Sequence, residues 1–512
     1  MIRVPPGSDT AGRARKRARP AAVLLLVFVA ACATTGAGRE AGTAARLGAR
    51  IDAILDAPPL HRTSWGVLFQ DAATGAVLFA RNPDRHFIPA SNTKLVIAAV
   101  ALGTLGPDWR YRTEVLAAPD SAGTATELRV VGRGDPSLSA RFWGREHAAI
   151  EALADSIAAA GVRRVAGPLV IDVSYFRDAQ VHSAWEVGDL PATYAAPVSA
   201  FAIEEGSFAV VLRGGARPGD AAHIMAAAAD AAPAAADAAP ALAAPQALRA
   251  TVTTDTAGAR TTISSDYMAR SDTIRLSARV PPLATDTVRL AVTDPPRFAG
   301  RRLARALARR GIAVDSVAIR RDPAPAPPLR TIAALASPPL AEIVAAILQP
   351  SQNWIAEHVL KTLGAERGTE GSWSGGLAVE RRYLSDVAGI DSLAFNLRDA
   401  SGLSAQNLLT PAATVTLLDH VRAAPWRTQF AAALAAPGMT GSTLEKRLAP
   451  LAGRLVAKTG TIANVNALSG YLTTDSGREL TFSILSNGSG LPSATVRAAM
   501  DSVVRLVARE VR

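Results

Sequence analysis

This sequence of 512 residues has few cysteines, few long apolar runs and few aromatic residues, and each of these scarcities excludes a structural feature or a class of partner. Cysteine occurs once, at Cys32, so its thiol has no partner within the chain. Long apolar runs are absent after residue 31, which excludes a membrane-spanning helix from the body of the protein. The arginines are scattered and do not alternate with the aromatic residues, which form 5% of the chain, so nucleic acid is not an expected partner.

Lysine is also rare, because arginine supplies fifty of the 55 basic residues. The five lysines are Lys16, Lys94, Lys361, Lys446 and Lys458. A guanidinium keeps its proton in a protein, whereas a desolvated lysine amine can be driven towards its neutral, basic form. A lysine in a chain that otherwise uses arginine therefore needs an explanation.

Lys94 lies at the start of the most apolar segment of the chain. Pro89 and Ser91 precede it, and residues 95–102 are all apolar. This pattern predicts a helix that is buried on nearly all sides and opened by Ser91. Residues three apart share a helix face, so the Lys94 amine is expected beside the Ser91 hydroxyl. The sequence thus predicts a nucleophile and a base one helical turn apart.

The N-terminus has the pattern of an export signal, residues 1–31, with basic residues followed by a short apolar run. Cys32 ends the segment Val-Ala-Ala-Cys, which resembles the lipobox of bacterial lipoproteins, where the cysteine becomes the lipidated first residue. We therefore expect an exported, periplasmic protein, anchored to the membrane by a lipid on Cys32 through a small, polar tether, residues 32–46. The alternative is ordinary cleavage nearby, which leaves a soluble periplasmic protein. The net charge of +11 falls to +6 when the basic and acidic residues of the signal are removed, and a mildly basic mature chain suits anionic surroundings such as cell wall or membrane surface.

The segments on either side of the Ser91 helix differ in pattern. Two β-rich runs around a glycine-bearing turn, within residues 66–79, predict a hairpin before it. After residue 107 short β runs alternate with helical segments up to residue 329, which predicts an inserted domain. Residues 221–250 within it are rich in alanine and lack the large apolar side chains of a specific core. We expect a loosely held helix or a flexible loop there.

A stiff, proline-rich linker, residues 322–328, leads back to the first domain. A second hairpin within residues 468–485 predicts a sheet that combines strands from both chain ends. The expected catalytic domain is therefore discontinuous and comprises residues 47–107 and 330–512, with residues 108–329 inserted.

Two further motifs supply partners for Ser91 and Lys94. Ser351 and Asn353 are alternate residues in a short link between two helical segments, so they point towards the same side. Lys458, Thr459, Gly460 and Thr461 end a predicted strand. The glycine allows close approach of a ligand backbone, the ammonium suits a carboxylate, and the threonine can add a hydrogen bond.

Ser-x-x-Lys, Ser-x-Asn and Lys-Thr-Gly in this order resemble the penicillin-binding protein and serine β-lactamase superfamily. The long segment between the first two motifs resembles the class C low-molecular-mass penicillin-binding proteins, the D-alanyl-D-alanine carboxypeptidases and endopeptidases of peptidase family S13. Further matches lie at residues 132–136, 194–200, 399–404 and 441–444. The resemblance implies an α/β fold: a penicillin-binding domain with an antiparallel sheet flanked by helices and a large mixed α/β insertion.

The resemblance also implies the chemistry. Ser91 would attack a D-Ala-D-Ala or cross-link amide of peptidoglycan stem peptides, or a β-lactam, and form an acyl-enzyme, with Lys94 as base and no metal or other cofactor. Ser351 would relay a proton to the leaving amine, and Asn353 would order the site. Lys458 and Thr459 would hold the terminal carboxylate. The backbone amides of Ser91 and Thr461 would stabilise the developing oxyanion.

Two other functions remain open at this point. A β-lactamase would use the same first step and differ in fast deacylation, but the long insertion and the lack of an evident glutamate-bearing loop speak against it. A non-catalytic wall-binding lipoprotein would keep the fold and lose the chemistry, but the intact motif residues argue against decay. Carboxypeptidase and endopeptidase activities share one site, and the sequence does not separate them.

Overall fold

The computed structural model describes residues 45–226, 248–267, 273–323 and 328–512. The predicted export signal, Cys32 and most of the predicted tether lie outside the described residues, as do the centre of the alanine-rich tract and part of the proline-rich linker. Within the described residues, those up to residue 53 and those from residue 54 onwards form two separate units. None of the helices in the described residues is long and apolar enough to cross a bilayer.

The helices of the described chain are α1 (45–55), α2 (Thr93–Leu105), α3 (Ala140–Trp143), α4 (Ala148–Ala159), α5 (Pro295–Ala308), α6 (Leu340–Leu348), α7 (Asn353–Arg367), α8 (Trp373–Arg382), α9 (Pro411–Ala423), α10 (Arg427–Ala433) and α11 (Ser493–Glu510). The strands are β1 (Ser64–Asp71), β2 (Val77–Arg81), β3 (Arg112–Ala117), β4 (Thr124–Ala125), β5 (Leu128–Val131), β6 (Arg164–Asp172), β7 (Ser207–Arg213), β8 (His223–Ala226), β9 (Leu248–Thr254), β10 (Thr262–Tyr267), β11 (Ile274–Val280), β12 (Thr285–Ala291), β13 (Ala313–Arg320), β14 (Arg330–Ala336), β15 (Phe395–Asn396), β16 (Leu408–Leu409), β17 (Leu455–Ile462), β18 (Val465–Thr473) and β19 (Glu479–Asn487).

Strands from both chain ends form one antiparallel sheet, in the order β17-β18-β19-β1-β2. β1 pairs with β19 along its whole length, and Phe69 and Phe482, opposite each other in this pair, stack with ring centroids 5.3 Å apart. The prediction that the two ends share a sheet is correct. β17 forms an edge of this sheet, so part of its backbone faces away from β18.

The central segment forms three further sheets. Six strands form the largest, in the order β13-β6-β5-β3-β14 with β4 beside β6. Two three-stranded sheets have the orders β10-β11-β9 and β12-β7-β8. β14 begins at residue 330 and pairs with β3, so its backbone belongs to the six-stranded sheet of this segment. The predicted domain boundaries stay a prediction, and this pairing leads us to propose that the chain returns to the catalytic domain only after Ala336.

The described ends of the alanine-rich tract are strands, which differs from the expected helix or loop. β8 pairs with β7, and β9 pairs with β11. Along β9, half-buried and exposed residues alternate up to Thr253, and Thr254 is buried. A two-residue period fits a sheet with one covered face, and small side chains do not prevent backbone pairing.

Helix α2 is buried along almost its whole length. Every residue from Thr93 to Leu102 is inaccessible or nearly so. The continuous apolar sequence that follows Lys94 explains this, since no polar face would need solvent. The helix continues past Gly103 and ends at Gly106, whose φ of +89° terminates it. The helix therefore fixes its first turn rigidly within the core.

Candidate active site

Ser91 lies on a tight turn directly before α2. The turn is a 3-10 helix, Ala90–Asn92, and the α-helical geometry begins only at Thr93. Gly402 packs against this turn so closely that a β-carbon there would lie 1.8 Å from the carbonyl oxygen of Ala90. Backbone packing therefore holds the turn in place and leaves the Ser91 side chain half-buried.

The amine of Lys94 is surrounded by three oxygen atoms. Its Nζ lies 2.9 Å from Oγ of Ser91, 2.7 Å from Oδ1 of Asn353 and 2.6 Å from the carbonyl oxygen of Ser401. The side chain is fully buried. Burial lowers the pKa of Lys94 to about 7, although two nearby carboxylates act in the opposite direction. Close to neutral pH, a substantial fraction of the amine is therefore uncharged.

These contacts orient the neutral amine. A neutral amine has two N–H groups and one lone pair, and the oxygens of Asn353 and Ser401 can only accept hydrogen bonds. Both N–H groups are therefore directed to those two oxygens. The lone pair faces the third neighbour, the hydroxyl of Ser91, which can donate its proton. The local geometry thus suits proton abstraction from Ser91 by Lys94.

The second predicted serine is paired with the second buried lysine. Lys458 donates hydrogen bonds to Oγ of Ser351 over 2.8 Å and to the carbonyl oxygen of Thr459 over 2.7 Å. Lys458 is fully buried, and this burial, together with the charge of Lys94, holds the pKa of Lys458 well below its usual value. Ser351 has a φ of +68°, which is unusual for serine. Two serine–lysine pairs thus form within one site.

The inserted segment holds the Ser-x-Asn motif from one side. The side-chain amide of Asn353 donates a hydrogen bond to the carbonyl oxygen of Tyr194 over 3.0 Å, which fixes its other atom as the acceptor for Lys94. The indole of Trp354 donates to the carbonyl oxygen of Pro197 over 3.0 Å. The motif is therefore positioned by both the helical region and the insertion.

The predicted binding residues lie on the edge strand β17. Thr459 is nearly buried, and Thr461 is exposed. Between them, Gly460 packs against the Ser91 turn, since a β-carbon there would lie 2.9 Å from the carbonyl oxygen of Pro89. The missing side chain allows the strand to pass this close.

Two buried acids, Glu357 and Asp399, complete the surroundings of Lys94. A carboxylate oxygen of Glu357 accepts a hydrogen bond from the backbone N–H of Ser401 over 2.8 Å, and the indole of Trp373 donates to the other oxygen over 2.8 Å. Asp399 accepts hydrogen bonds from the backbone N–H groups of Gly402 and Ser404 and from the side chains of Asn407 and Trp185. Together they fix the loop whose carbonyl oxygen contacts Lys94.

The sequence reasoning gave these two acids no role. Glu357 follows Asn353 by four residues on α7, so the two share a helix face, and this spacing is the signal that could have found it. Asp399 begins the motif at residues 399–404, and the family resemblance of this motif does not by itself give the acid a role. Burial raises the pKa of Glu357 to about 7, and the charge of Asp399 adds to this effect.

A cleft of about 660 Å³ opens above these residues. Its lining includes Ser91, Ser351, Asn353, Thr459 and Thr461. Beneath this lining, Lys94 contacts Ser91 and Lys458 contacts Ser351. The structure therefore brings together all eight predicted catalytic and binding residues.

The cleft also contains charged residues that sequence reasoning did not single out. Glu186 and Asp189 come from the insertion, and Arg447 and Arg497 come from the C-terminal region. Nothing in the sequence distinguishes the two arginines from the other forty-eight. Within the described ranges, no group of three or more His, Cys, Asp and Glu side chains is placed to hold a metal ion.

Comparison with known proteins gives consistent results. The model of the D-Ala-D-Ala carboxypeptidase 3 (S13) family matches residues 47–510. The D-alanyl-D-alanine carboxypeptidase of Actinomadura sp. (strain R39) is 34% identical over 458 residues, which cover 86% of this chain and 81% of that protein. Carboxypeptidase DacB of Mycolicibacterium smegmatis is 29% identical over 450 residues, which cover 85% and 79%.

Among solved structures, penicillin binding protein 4 (dacB) from Haemophilus influenzae matches with a TM-score of 0.75 and 20% identity. The match covers 89% of this chain and 97% of that one. At this identity the match shows the fold. The predicted fold class, an antiparallel sheet flanked by helices with a large mixed α/β insertion, is confirmed.

Proposed function

The chain belongs to the D-Ala-D-Ala carboxypeptidase 3 (S13) family, and on this premise we propose that it hydrolyses the D-alanyl-D-alanine end of peptidoglycan stem peptides through an acyl-enzyme on Ser91. The observation that carries the proposal is the environment of Lys94. Three oxygen atoms neighbour its buried amine. Two of them can only accept hydrogen bonds, and the third belongs to the Ser91 hydroxyl, which can donate one. This arrangement supports a serine nucleophile with a neutral lysine base.

In the first step, Oγ of Ser91 attacks the carbonyl carbon of the scissile amide, and its proton passes to Nζ of Lys94. The carbonyl oxygen becomes negatively charged, and we assign its stabilisation to the backbone N–H groups of Ser91 and Thr461. Their closeness is supported by the tight packing of Gly460 on the Ser91 turn.

In the second step, the C–N bond breaks and the departing amine takes a proton. We assign the donor as the hydroxyl of Ser351, whose proton is replaced from the ammonium of Lys458, 2.8 Å away. The proton that Lys94 took from Ser91 then passes to the neutral Lys458, which restores the starting state of both lysines. Water attacks the ester on Ser91 while Lys94 accepts its proton, and the ester bond breaks as Lys94 returns this proton to Oγ of Ser91, which releases the shortened peptide. Every proton in the cycle moves between the groups of the two serine–lysine pairs and the substrate, which needs no metal ion or other cofactor.

The terminal carboxylate of the substrate would bind at Lys458 and Thr459. An approaching carboxylate favours the protonated form of Lys458, which then gives the cationic charge, and Thr459 lines the same cleft as Ser91. A charge-assisted hydrogen bond of this kind selects substrates with a free carboxyl end. β-Lactams also carry a carboxylate beside a reactive carbonyl group, so we expect them to acylate Ser91.

Labelling with a fluorescent penicillin tests the proposal. The folded protein should become covalently labelled, and Ser91→Ala should abolish the band. Absence of label on the folded wild-type protein, or a band that survives the substitution, would favour a non-catalytic wall-binding protein. Rapid turnover of benzylpenicillin would instead indicate a β-lactamase.

Carboxypeptidase and endopeptidase activities are separated by substrate. A pentapeptide ending in D-Ala-D-Ala reports the first, through release of D-alanine, and a cross-linked muropeptide reports the second. The proposal predicts that one or both are cleaved, and that both activities disappear together in Ser91→Ala because they share one nucleophile.

We also propose export to the periplasm and lipidation of Cys32, which are supported by the sequence of the leader alone. Growth with labelled palmitate tests this, with Cys32→Ala as the control. Incorporation should be seen in the intact chain and lost in the variant. A blank result in the intact chain would favour a soluble periplasmic protein.

A further inference from the structure

The central residue of the Ser-x-Asn motif, Gln352, has no role in the proposed function. Ser351 and Asn353 line the cleft, whereas the side chain of Gln352 is directed to the insertion. Its Nε2 donates a hydrogen bond to a carboxylate oxygen of Glu205, and its Oε1 accepts one from the backbone N–H of Trp354 over 2.9 Å. Because the carboxylate can only accept and the N–H can only donate, one orientation of the amide satisfies both contacts.

Arg141 on α3 holds the carboxylate of Glu205 from its other side. Nε of Arg141 donates to Oε1 over 2.5 Å, and Nη2 donates to Oε2 over 3.1 Å. This bidentate arrangement is the one in which a guanidinium and a carboxylate orient each other most strongly. Oε2 of Glu205 receives both Arg141 and Gln352. The carboxylate is therefore kept in the position at which Gln352 finds it.

The backbone of Glu205 is held as firmly as its side chain. Glu204 and Glu205 have φ values of +53° and +54°. Two consecutive residues with side chains in this region are uncommon and persist only where the surrounding structure holds them. The carboxylate of Glu204 accepts hydrogen bonds from the backbone N–H groups of Ala140 over 3.1 Å and His147 over 2.7 Å. The turn is thus fastened to the segment that contains Arg141.

The same turn contacts the residue on the other side of Asn353. Gly206 packs against Trp354, since a β-carbon on Gly206 would lie 2.8 Å from the indole Nε1. The turn at residues 204–206 therefore contacts the residues before and after Asn353. Oδ1 of Asn353 is one of the two oxygens that direct the N–H groups of the neutral Lys94 amine. A displacement of Asn353 would therefore turn the lone pair of Lys94 away from the nucleophile.

We infer that Glu205, held by Arg141, is a positioning residue for the acylation step. The inference rests on the proposed function and adds part of the insertion to it. Through Gln352, Glu205 fixes the position of Asn353, and through Asn353 it fixes the direction of the Lys94 lone pair. Its contribution is to order the site before the reaction begins.

Stopped-flow acylation by benzylpenicillin tests the inference, because it separates the limiting acylation rate constant from the apparent dissociation constant. Glu205→Ala removes the acceptor of Gln352 and should lower the rate constant by about tenfold or more. The dissociation constant should change little, because the carboxylate-binding residues on β17 keep their positions. Glu205→Gln, which keeps an oxygen that can accept from Gln352, should retain most of the wild-type rate constant.

An exchange of the two side chains gives a sharper test. Gln352→Glu places two carboxylates against each other, so the rate constant should fall as in Glu205→Ala. Combining it with Glu205→Gln restores one donor and one acceptor between the two positions, and the double variant should recover most of the lost rate. If Glu205→Ala does not fold, this pair of variants decides, since the double variant keeps the hydrogen bond.

Glu151→Ala is the matched control. Glu151 is a glutamate of the insertion on α4 that also pairs with arginines, Arg309 and Arg310. Its loss should lower the temperature of thermal unfolding and leave the acylation rate constant unchanged. The comparison distinguishes the position of Gln352 from the general stability of the insertion.

The outcomes separate this inference from the proposed function. A wild-type rate constant in Glu205→Ala, no recovery in the double variant, or an equal loss in Glu151→Ala would overturn the inference alone. A folded wild-type protein that is not acylated by benzylpenicillin would overturn the proposed function, and the inference with it.

Discussion

Gly460 and Ser91 approach so closely that a β-carbon on Gly460 would lie 3.0 Å from the backbone nitrogen of Ser91. The same β-carbon would lie 2.9 Å from the carbonyl oxygen of Pro89. Both neighbours are backbone atoms of a turn fixed by a buried helix, so the strand would have to move away. The distance between Ser91 and strand β17 thus depends on the absence of a side chain at Gly460.

We expect Gly460→Ala to slow acylation by benzylpenicillin by about tenfold or more, because displacing an oxyanion donor by a few tenths of an ångström weakens its contribution. Thermal unfolding should change little, since the residue lies on an edge strand that can shift. The second-order acylation rate constant is the measurement. An unchanged rate constant would show that the strand and the turn do not cooperate in binding the oxyanion.

Acylation should depend on pH through Lys94. The base works only when neutral, and burial lowers the pKa of Lys94 to about 7. The rate constant should therefore be low under acidic conditions, rise as pH increases through about 7, and level off above it. Rapid-quench acylation measured across this range gives the profile.

Replacement of Lys94 by arginine supplies the matching variant. A guanidinium remains protonated, so Lys94→Arg should lose about 100-fold or more of the acylation rate at every pH. A variant with normal acylation would rule out Lys94 as the base.

Glu357→Gln should shift this pH profile. An anionic Glu357 stabilises the protonated form of Lys94, so removing its charge should lower the pKa of Lys94 and move the rise in rate to lower pH. The substitution also weakens the hydrogen bond from the backbone of Ser401, and we expect about 1–3 kcal/mol of lost stability. Stopped-flow acylation and thermal unfolding measure the two effects.

Glu380→Gln is the control for this experiment. Glu380 is also fully buried, but neither of its carboxylate oxygens has a hydrogen-bond partner within the described chain. Burial raises the pKa of Glu380 well above its usual value and so favours the neutral carboxyl form, which has the shape of an amide. The variant should keep its stability and the pH profile. An identical shift in both variants would mean that the charge of Glu357 is not the cause.

A third buried lysine, Lys361, predicts an effect on the stability of the protein. Lys361 on α7 forms an ion pair with Asp178 of the insertion and lies 4.1 Å from the ring centroid of Trp373. Asp178→Ala should destabilise the protein by about 3 kcal/mol, because it leaves a buried ammonium without its counter-charge. Lys361→Met, which removes the charge and keeps an unbranched side chain, should cost less. Denaturant unfolding decides, and equal losses for both variants would contradict this reasoning.

Much of the site was predictable from local sequence. Ser91 and Lys94 are three residues apart at the start of a continuous apolar segment, and this spacing predicts neighbouring side chains. The structure brings them together through a 3-10 turn that leads into α2, whereas the sequence pattern predicted that Ser91 opens the α-helix itself. The β-rich composition around Lys458, Thr459 and Gly460 predicted a strand, and the strand is found there, although it continues past the motif to Ile462 and does not end with it. The order of the three motifs indicated the fold class, because it resembles one superfamily.

Other features could not be read from the sequence. Glu357 and Asp399 are single acids among 44, and only the packing of α7 against the loop at residues 399–404 gives them a role. The ends of the alanine-rich tract pair as strands because neighbouring strands offer backbone partners, which composition does not reveal.

By itself, the sequence determined which groups can react, since side-chain chemistry and spacing within one helix or strand are local properties. The tertiary structure decided how they act together. It joined residues separated by hundreds of positions around one cleft, and it excluded water from Lys94 and thereby lowered its pKa. These effects depend on burial and on distances between elements, which are fixed only when the chain packs into its folded form.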